Sequence, residues 1–286
     1  MVRSGRAPVP ARPRRALPPG QAVGVTATVP PAPTTEALPS RRLLGYEVLI
    51  VIALSYGAAG LYAAVDLLKG LIISTQPLSQ QAAVVAGPAA PQVWLDIAYQ
   101  MLDIGTTLAP VFLVAYLLVR SAESMATIGV DASRPAEDTR WGLGLAAIVG
   151  GVGLGLLFAA KGLGINRDVI VGSGANRWWD VVLLVGQAAK TAIGEEVIVC
   201  GYLLHRLRQL GWGDGKSLAT SSVVRGSYHL YQGFGAFSAN VVLGLFFGRI
   251  YQKRGRVMPL ILAHFVIDAI SFVGYVELKN HVSWLP

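Results

Sequence analysis

The stretch VMPLILAHFVIDAISFVGYV, residues 257–276, decides the fold class of this chain. It is apolar apart from Ser271, Tyr275 and the two charged or titratable residues His264 and Asp268, and a helix needs about 20 predominantly apolar residues to cross the hydrocarbon core of a bilayer. The stretch therefore predicts a membrane-spanning helix that carries His264 and Asp268 within it.

Six further apolar stretches precede it along the chain. They cover residues 43–68, 93–119, 141–160, 178–204, 217–232 and 237–251. Residues 70–92 can hold an additional re-entrant or interfacial segment. The predicted fold class is therefore all-α, a polytopic membrane helix bundle with about seven transmembrane helices, or eight if residues 70–92 add one.

The composition supports a membrane protein over other classes. Of the 286 residues only 14% are charged, whereas soluble proteins contain about 25%. Mean hydropathy is +0.53, and the sequence holds a single cysteine. A disulfide framework and a Cys-rich zinc module are therefore excluded. The net charge of +8 does not indicate nucleic-acid binding, because the basic residues follow the loops between the apolar stretches rather than one face.

The distribution of charge predicts the topology and the domains. Of the 24 Lys and Arg residues, 16 fall in segments on the side of the N-terminus. By the positive-inside rule, the N-terminus of this integral protein of the cell membrane is expected in the cytoplasm. Residues 1–42 form a predicted disordered, basic, Pro-rich tail near anionic lipid. Predicted membrane helices occupy 43–177 and 178–276, and a short tail occupies 277–286.

Ionisable and strongly polar residues inside the apolar stretches are concentrated towards the C-terminus. An ionisable residue deep in a span costs about 2.5–3.5 kcal/mol on insertion scales, and such residues usually serve function. We therefore expect these side chains to meet in a protein-lined interior: Gln187, Lys190, Glu195, Glu196, Arg225, His229, Asn240, His264 and Asp268.

The adjacent carboxylates Glu195 and Glu196 are the first candidates for chemistry. Consecutive residues of a helix point about 100° apart, so one carboxylate can face a cavity while a partner holds the other. A carboxylate in such an environment can act as a general base or acid. The alternative is a structural pair that is neutralised by Lys190 or Arg225.

Two further pairs are spaced four residues apart, which brings side chains together on one helix face. His264 and Asp268 form one pair, and an acid beside a histidine fixes its tautomer and raises its basicity. Arg225 and His229 form the other. Either histidine alone is compatible with a structural role, but three separate helices are each predicted to present a titratable face.

In their order, these motifs resemble the CAAX-protease and bacteriocin-processing (CPBP, or Abi) family of intramembrane proteases. The family pattern is Glu-Glu-x-x-x-Arg, then Phe-x-x-x-His, then His-x-x-x-Asn/Asp, on separate membrane helices. This sequence has EEVIVC at 195–200, RGSYH at 225–229 and HFVID at 264–268. The resemblance covers roughly residues 180–275, about a third of the chain, and earlier residues are similar only as membrane helices.

Two departures from the family pattern stand out. Cys200 occupies the position of the family's arginine, and Arg225 occupies the position of its phenylalanine. We hypothesise that the arginine has moved, so that Arg225 pairs with Glu196 and keeps it ionised. A separation well beyond about 4 Å between the two side chains, without a bridging water, contradicts this hypothesis.

The resemblance implies peptide-bond hydrolysis within the membrane, by an endopeptidase of the CAAX-processing type. Glu195 is then the general base that activates water, beside Glu196, and His229 helps to position that water. His264 and Asp268 are implied as the pair that stabilises the oxyanion. Ionised Asp268 cannot donate a hydrogen bond, so we favour a role in orienting His264.

Metal-dependent chemistry is the alternative, because family members have been described both as metalloproteases and as glutamate-dependent proteases. A divalent ion such as zinc would then bind Glu195, His229, His264 and Asp268. The sequence lacks a His-Glu-x-x-His helix, the strong zinc signature, and we favour the metal-free mechanism.

Three functional hypotheses follow. The first is the endopeptidase, whose partners are a membrane-associated or lipidated peptide or protein substrate and the bilayer. The second, suggested by the missing arginine, is a catalytically impaired scaffold or immunity-type protein. The third is a proton-coupled membrane carrier, which would be expected to show internal repeats and broken helices that this sequence does not clearly contain. No feature of the sequence identifies the oligomeric state.

Overall fold

The structure of the protein, a computed structural model, describes residues 39–172, 177–279 and 281–282. The predicted basic tail, residues 1–42, lies outside the described residues as far as residue 38, and its last two residues begin the first helix. The chain is mostly helical (78%). Its α-helices are α1 Arg41–Ile52, α2 Ala58–Ile72, α3 Val93–Arg120, α4 Pro135–Gly162, α5 Trp178–Glu195, α6 Leu203–Gln209, α7 Asp214–Ser227, α8 Phe234–Arg254 and α9 Met258–Leu278.

Two π-helical segments join consecutive helices into longer rods. Ala53–Gly57 connects α1 to α2, and Glu196–Tyr202 connects α5 to α6. In the first segment Ser55 leaves helical geometry (φ −125°, ψ −111°), and its hydroxyl donates to the Val51 carbonyl at 2.6 Å. A π-segment changes the direction in which the side chains of a helix point, and such segments are frequent at functional sites.

Among the described residues, five helical rods are long and apolar enough to cross a membrane, whereas about seven spans were predicted. These are Arg41–Ile72, Val93–Arg120, Pro135–Leu156, Phe234–Arg254 and Met258–Leu278. The predicted span 217–232 is wrong in its extent. Helix α7 has 14 residues, so at 1.5 Å per residue it covers about 21 Å of a hydrocarbon core about 30 Å thick.

Residues 70–92 do not form an additional spanning helix. They contain the end of α2, a 3₁₀ turn at Leu78–Gln80 and a strand, β1 Ala82–Ala86, which pairs in parallel with β2 Asp168–Val171. The all-α prediction therefore missed a small sheet. Both strands contain short runs of β-branched residues, which favour strand geometry. Gly87 and Pro88 follow β1 and end it.

The buried core surrounds the π-segment Glu196–Tyr202. Helix α9 packs against α4 and α5, while α7 packs along α8. Close approach of α7 and α8 requires Gly226, because a Cβ there would lie 2.9 Å from the Phe237 carbonyl oxygen. The ends of α5, α7 and α9 that carry the predicted motifs are thereby brought to one place.

Candidate active site

Glu195 and Glu196 lie at the junction of α5 with the π-segment, and both are buried (3% and 0% exposed). Although consecutive helical residues point about 100° apart, neither faces lipid. The rod is enclosed there because α3, α7, α8 and α9 all contact the π-segment. Two carboxylates are therefore held in the interior at the same depth.

Arg225, near the end of α7, binds both carboxylates. Its Nη2 lies 2.5 Å from Glu196 Oε1 and 3.3 Å from Glu195 Oε2, and the side chain is 1% exposed. The guanidinium carbon stands 5.5 Å from the ring centroid of Phe247, in cation–π contact. The contact between Arg225 and Glu196 that was hypothesised from the sequence is present.

His264, on α9, lies between two carboxylates. Its Nδ1 is 2.8 Å from Glu196 Oε1, and its Nε2 is 3.4 Å from Asp268 Oδ2. Because a carboxylate only accepts hydrogen bonds, a ring nitrogen that carries a proton can donate to the carboxylate beside it. The spacing in sequence predicted the contact with Asp268. The contact with Glu196 joins residues 68 positions apart, and no local pattern signals it.

His229 is placed by a turn rather than by a helix. The sequence predicted it on the same helix face as Arg225, but α7 ends at Ser227, and His229 (φ −97°, ψ 0°) precedes the 3₁₀ turn Leu230–Gln232. Its Nε2 lies 3.9 Å from Glu195 Oε1. Both ring nitrogens are buried and have no hydrogen-bond partner among the described residues.

Tyr228 is a site residue that the sequence analysis missed. Its hydroxyl donates to Glu195 Oε2 at 2.8 Å, and its ring packs against Tyr56 (centroids 4.6 Å apart) and His229 (4.8 Å). Tyr56 belongs to the first π-segment and approaches Gly194 so closely that a Cβ there would lie 2.4 Å from the Tyr56 hydroxyl. The available signal was the position of Tyr228 directly before His229.

Other polar residues of the predicted group stay outside the site. Lys190 binds Asp103 of α3 at 2.6 Å, so the structural alternative in which it neutralises the two glutamates is wrong. Asn240 donates to the carbonyl of Ala236 within α8. Cys200 is buried in the core on the π-segment, four residues after Glu196.

Glu195, Glu196 and His264 place ligand atoms within 4.8 Å of one another, as a metal site requires. Glu196 thus stands in this group in place of His229 and Asp268 from the ligand set predicted from sequence. The central position is held by a cation of the chain itself: besides its contacts with both glutamates, Arg225 Nη2 lies 3.2 Å from His264 Nδ1. A metal ion at these donors would take the place of the Arg225 guanidinium.

Comparison with protein families finds one match in this region. Residues 177–270, about a third of the chain, match the family model described as "Type II CAAX prenyl endopeptidase Rce1-like". Comparison with curated proteins and with solved structures finds no match. The matched segment contains all three motifs and every site residue named above except Tyr56.

Proposed function

From the match of residues 177–270 to the Rce1-like CAAX endopeptidase family model, we infer that the protein is an intramembrane endopeptidase. It hydrolyses a peptide bond of a membrane-associated or lipidated substrate with water activated by Glu195 and His229. The observation that carries this proposal is the convergence of Glu195 at the end of α5, His229 in the turn after α7 and His264 on α9 around one site.

Glu195 is oriented as a general base by contacts to one of its two oxygens. Tyr228 and Arg225 both hold Oε2, which directs Oε1 towards His229. The 3.9 Å from Oε1 to His229 Nε2 is too long for a hydrogen bond, but a water to one side of the two atoms can bridge them. Glu195 takes a proton from this water as its oxygen attacks the substrate carbonyl. The proton then passes to the amine nitrogen as the C–N bond breaks.

His264 stabilises the oxyanion that forms on the substrate carbonyl. Its Nδ1 is occupied by Glu196, whereas its Nε2 has only the longer contact of 3.4 Å with Asp268. The N–H at Nε2 can therefore donate a hydrogen bond to the negative charge that develops on the carbonyl oxygen. Asp268 accepts from the ring and thereby orients it, which is the role favoured from the sequence.

Arg225 supplies the positive charge that the family pattern has at the position of Cys200. It keeps Glu196 ionised, and Glu196 in turn holds the His264 ring at Nδ1. A buried carboxylate without such a partner would lose its charge, because burial strongly disfavours the ionised form. The presence of this cation favours an active enzyme over the impaired scaffold that the missing arginine suggested.

The proposed reaction needs no metal ion. A divalent ion bound by Glu195, Glu196 and His264 would have to displace the Arg225 guanidinium, which contacts all three. We expect protein that has been treated with a chelator and dialysed to retain full activity. Loss of activity that added zinc restores would contradict this part of the proposal.

Cleavage of membrane peptides by the purified protein in detergent tests the function. Products from a library of lipidated and unlipidated peptides are identified by mass spectrometry. Because general base catalysis contributes about 10²–10⁴-fold, Glu195→Gln is expected to lower the rate at least 100-fold in protein that still unfolds cooperatively, since Glu196 continues to neutralise Arg225. Glu277→Gln, at an exposed position of α9, is the matched control.

Two outcomes would contradict the proposal. Wild-type rates in Glu195→Gln would exclude Glu195 as the base. Complementation of a deletion strain by Glu195→Gln, His229→Ala and His264→Ala would instead support the non-catalytic scaffold.

A further inference from the structure

A cavity of about 340 Å³ lies beside the turn that follows His229. Its walls come from the end of α2, from Ala82–Val84 of β1, and from Arg167 and Tyr231. The volume falls within the range of about 300–1,000 Å³ that is usual for ligand pockets. The catalytic mechanism proposed above does not use this cavity.

The rod formed by the first π-segment and α2 runs from the candidate active site to the cavity. Tyr56 stands against Tyr228, Gly60 stands against Ser227, and Gly70 stands against Arg167 at the cavity. From Tyr56 to Lys69, at the cavity, the helix rises about 20 Å. An extended peptide covers that distance with about six residues.

Arg167 links the cavity wall to the turn beside His229. Its buried guanidinium pairs with Asp66, and its Nη1 donates to the Tyr231 carbonyl at 2.8 Å. Its backbone N–H donates to the carbonyl of Gln232 at 2.9 Å. The cavity and the His229 turn are therefore built from the same contacts.

Strand β1 brings a free edge to the cavity. The carbonyl of Gln81 points to β2, where it accepts from the N–H of Asp168. Because the backbone N–H and C=O groups of successive strand residues point to opposite edges, those of Ala82 and Val84 point away from β2. Within the described residues the sheet consists of β1 and β2 alone, and both Ala82 and Val84 line the cavity. Extended peptides commonly bind by adding a strand to such an edge.

The charge at the cavity suits an anion. Asp66 compensates Arg167, whereas the exposed Lys69 forms no salt bridge within the described part of the chain. Among the described residues the cavity thus has one ammonium group without a counter-ion, and a carboxylate is the anion that a peptide carries.

Resting on the proposed function, we propose that this cavity is a substrate subsite. It binds the extended peptide on one side of the scissile bond, pairs it with the edge of β1 and takes a carboxylate of the peptide at Lys69. The carboxylate lies about six residues or fewer from the cleaved bond. It belongs either to the C-terminus of the peptide or to an acidic side chain.

Binding to the Glu195→Gln protein in detergent tests this subsite without requiring turnover. The probes are three fluorescent, apolar decapeptides with a benzophenone near the C-terminal end: one ends in a free carboxylate, one in an amide, and one in an amide with a nearby glutamate. For an exposed ion pair we expect the free acid to bind about two- to fivefold more tightly than the amide. Lys69→Met should abolish this difference, and Lys253→Met, at an exposed lysine of α8, should preserve it.

The third peptide distinguishes the sources of the carboxylate: binding as tight as that of the free acid indicates an acidic side chain, and binding as weak as that of the amide indicates the C-terminus. Crosslinks are expected within 66–84. Crosslinks elsewhere, or equal dissociation constants for all three peptides, would overturn the subsite. Cleavage by the wild type is measured in parallel. Cleavage without crosslinks in the cavity removes only the subsite, whereas binding there without any cleavage counts against the proposed function.

Discussion

Replacement of Arg225 by methionine removes the cation that both buried glutamates contact. Methionine keeps an unbranched side chain next to Phe247, so packing changes less than charge. Glu196 is left fully buried with His264 as its remaining charged neighbour, and Glu195 keeps its hydrogen bond from Tyr228. The perturbation is therefore mainly electrostatic.

The magnitude follows from the burial of the pair. Removal of one partner of a buried ion pair costs about 3–5 kcal/mol, because the other charge stays behind uncompensated. Arg225 faces two carboxylates, which places the expected loss of stability near 4–5 kcal/mol unless one of them takes up a proton. Loss of a preorganised charged group at a reacting centre also lowers turnover by about 10²–10³-fold.

The reciprocal exchange Cys200→Arg with Arg225→Phe sharpens the test. Position 200 lies four residues after Glu196 on the same rod, so an arginine there can reach Glu196 along the helix. The phenylalanine at position 225 restores the arrangement of the family pattern. We expect the double variant to cleave at least tenfold faster than Arg225→Met.

Cleavage assays and thermal unfolding followed by tryptophan fluorescence measure these effects. Arg249→Met, at an exposed arginine of α8 that bonds only weakly to Gln252 (3.3 Å), is the control and should behave as wild type. Unchanged activity in Arg225→Met would refute the argument that this cation supports catalysis. A double variant as inactive as the single one would refute the idea that the arginine has moved.

Two further predictions concern single contacts. Tyr228→Phe keeps the ring against Tyr56 but removes a hydrogen bond to a carboxylate worth about 1.5–3 kcal/mol, so kcat should fall about 10- to 100-fold at constant KM in peptide cleavage. Outside the spans, hydrogen bonds from Arg256 lower the pKa of Asp131. A folded-state pKa below the unfolded value of about 3.9 contributes stability above that pH, which is lost as the pH falls. In Asp131→Asn the midpoint temperature of unfolding should therefore fall less steeply as the pH is lowered below about 4. A fall as steep as that of the wild type would contradict the stabilising role of Asp131.

Local periodicity was sufficient to locate the helices and several of the site residues. The apolar stretches predicted the rods because burial in lipid demands an apolar surface all round a helix. The spacing of four between His264 and Asp268 predicted their contact because residues i and i+4 lie on the same face of a helix. The predicted basic tail and the N-terminal orientation remain predictions.

The features that the sequence did not predict are deviations from regular helical geometry and a long-range strand pairing. A continuous helical span to 232 was expected, but α7 ends at Ser227 and a turn aims His229 at Glu195. The strand β1 needed a partner more than 80 residues away, and strand pairing at that separation leaves no periodic signal. The π-segments are likewise absent from any pattern of apolar residues, although they lie directly beside the site.

The position of the arginine shows why motifs at a buried site should be compared in space. Glu196 needs a cation within hydrogen-bond distance, and its electrostatics do not depend on which helix provides it. A cysteine at position 200 leaves the rod small there, and Arg225 reaches the carboxylate from α7 while Phe247 supports its guanidinium. Compared by sequence position, this chain departs from the family pattern at residues 200 and 225. Compared by distance, it has an arginine beside Glu196. Related chains that lack the arginine after the glutamate pair should be examined for a cation opposite it before they are classed as inactive.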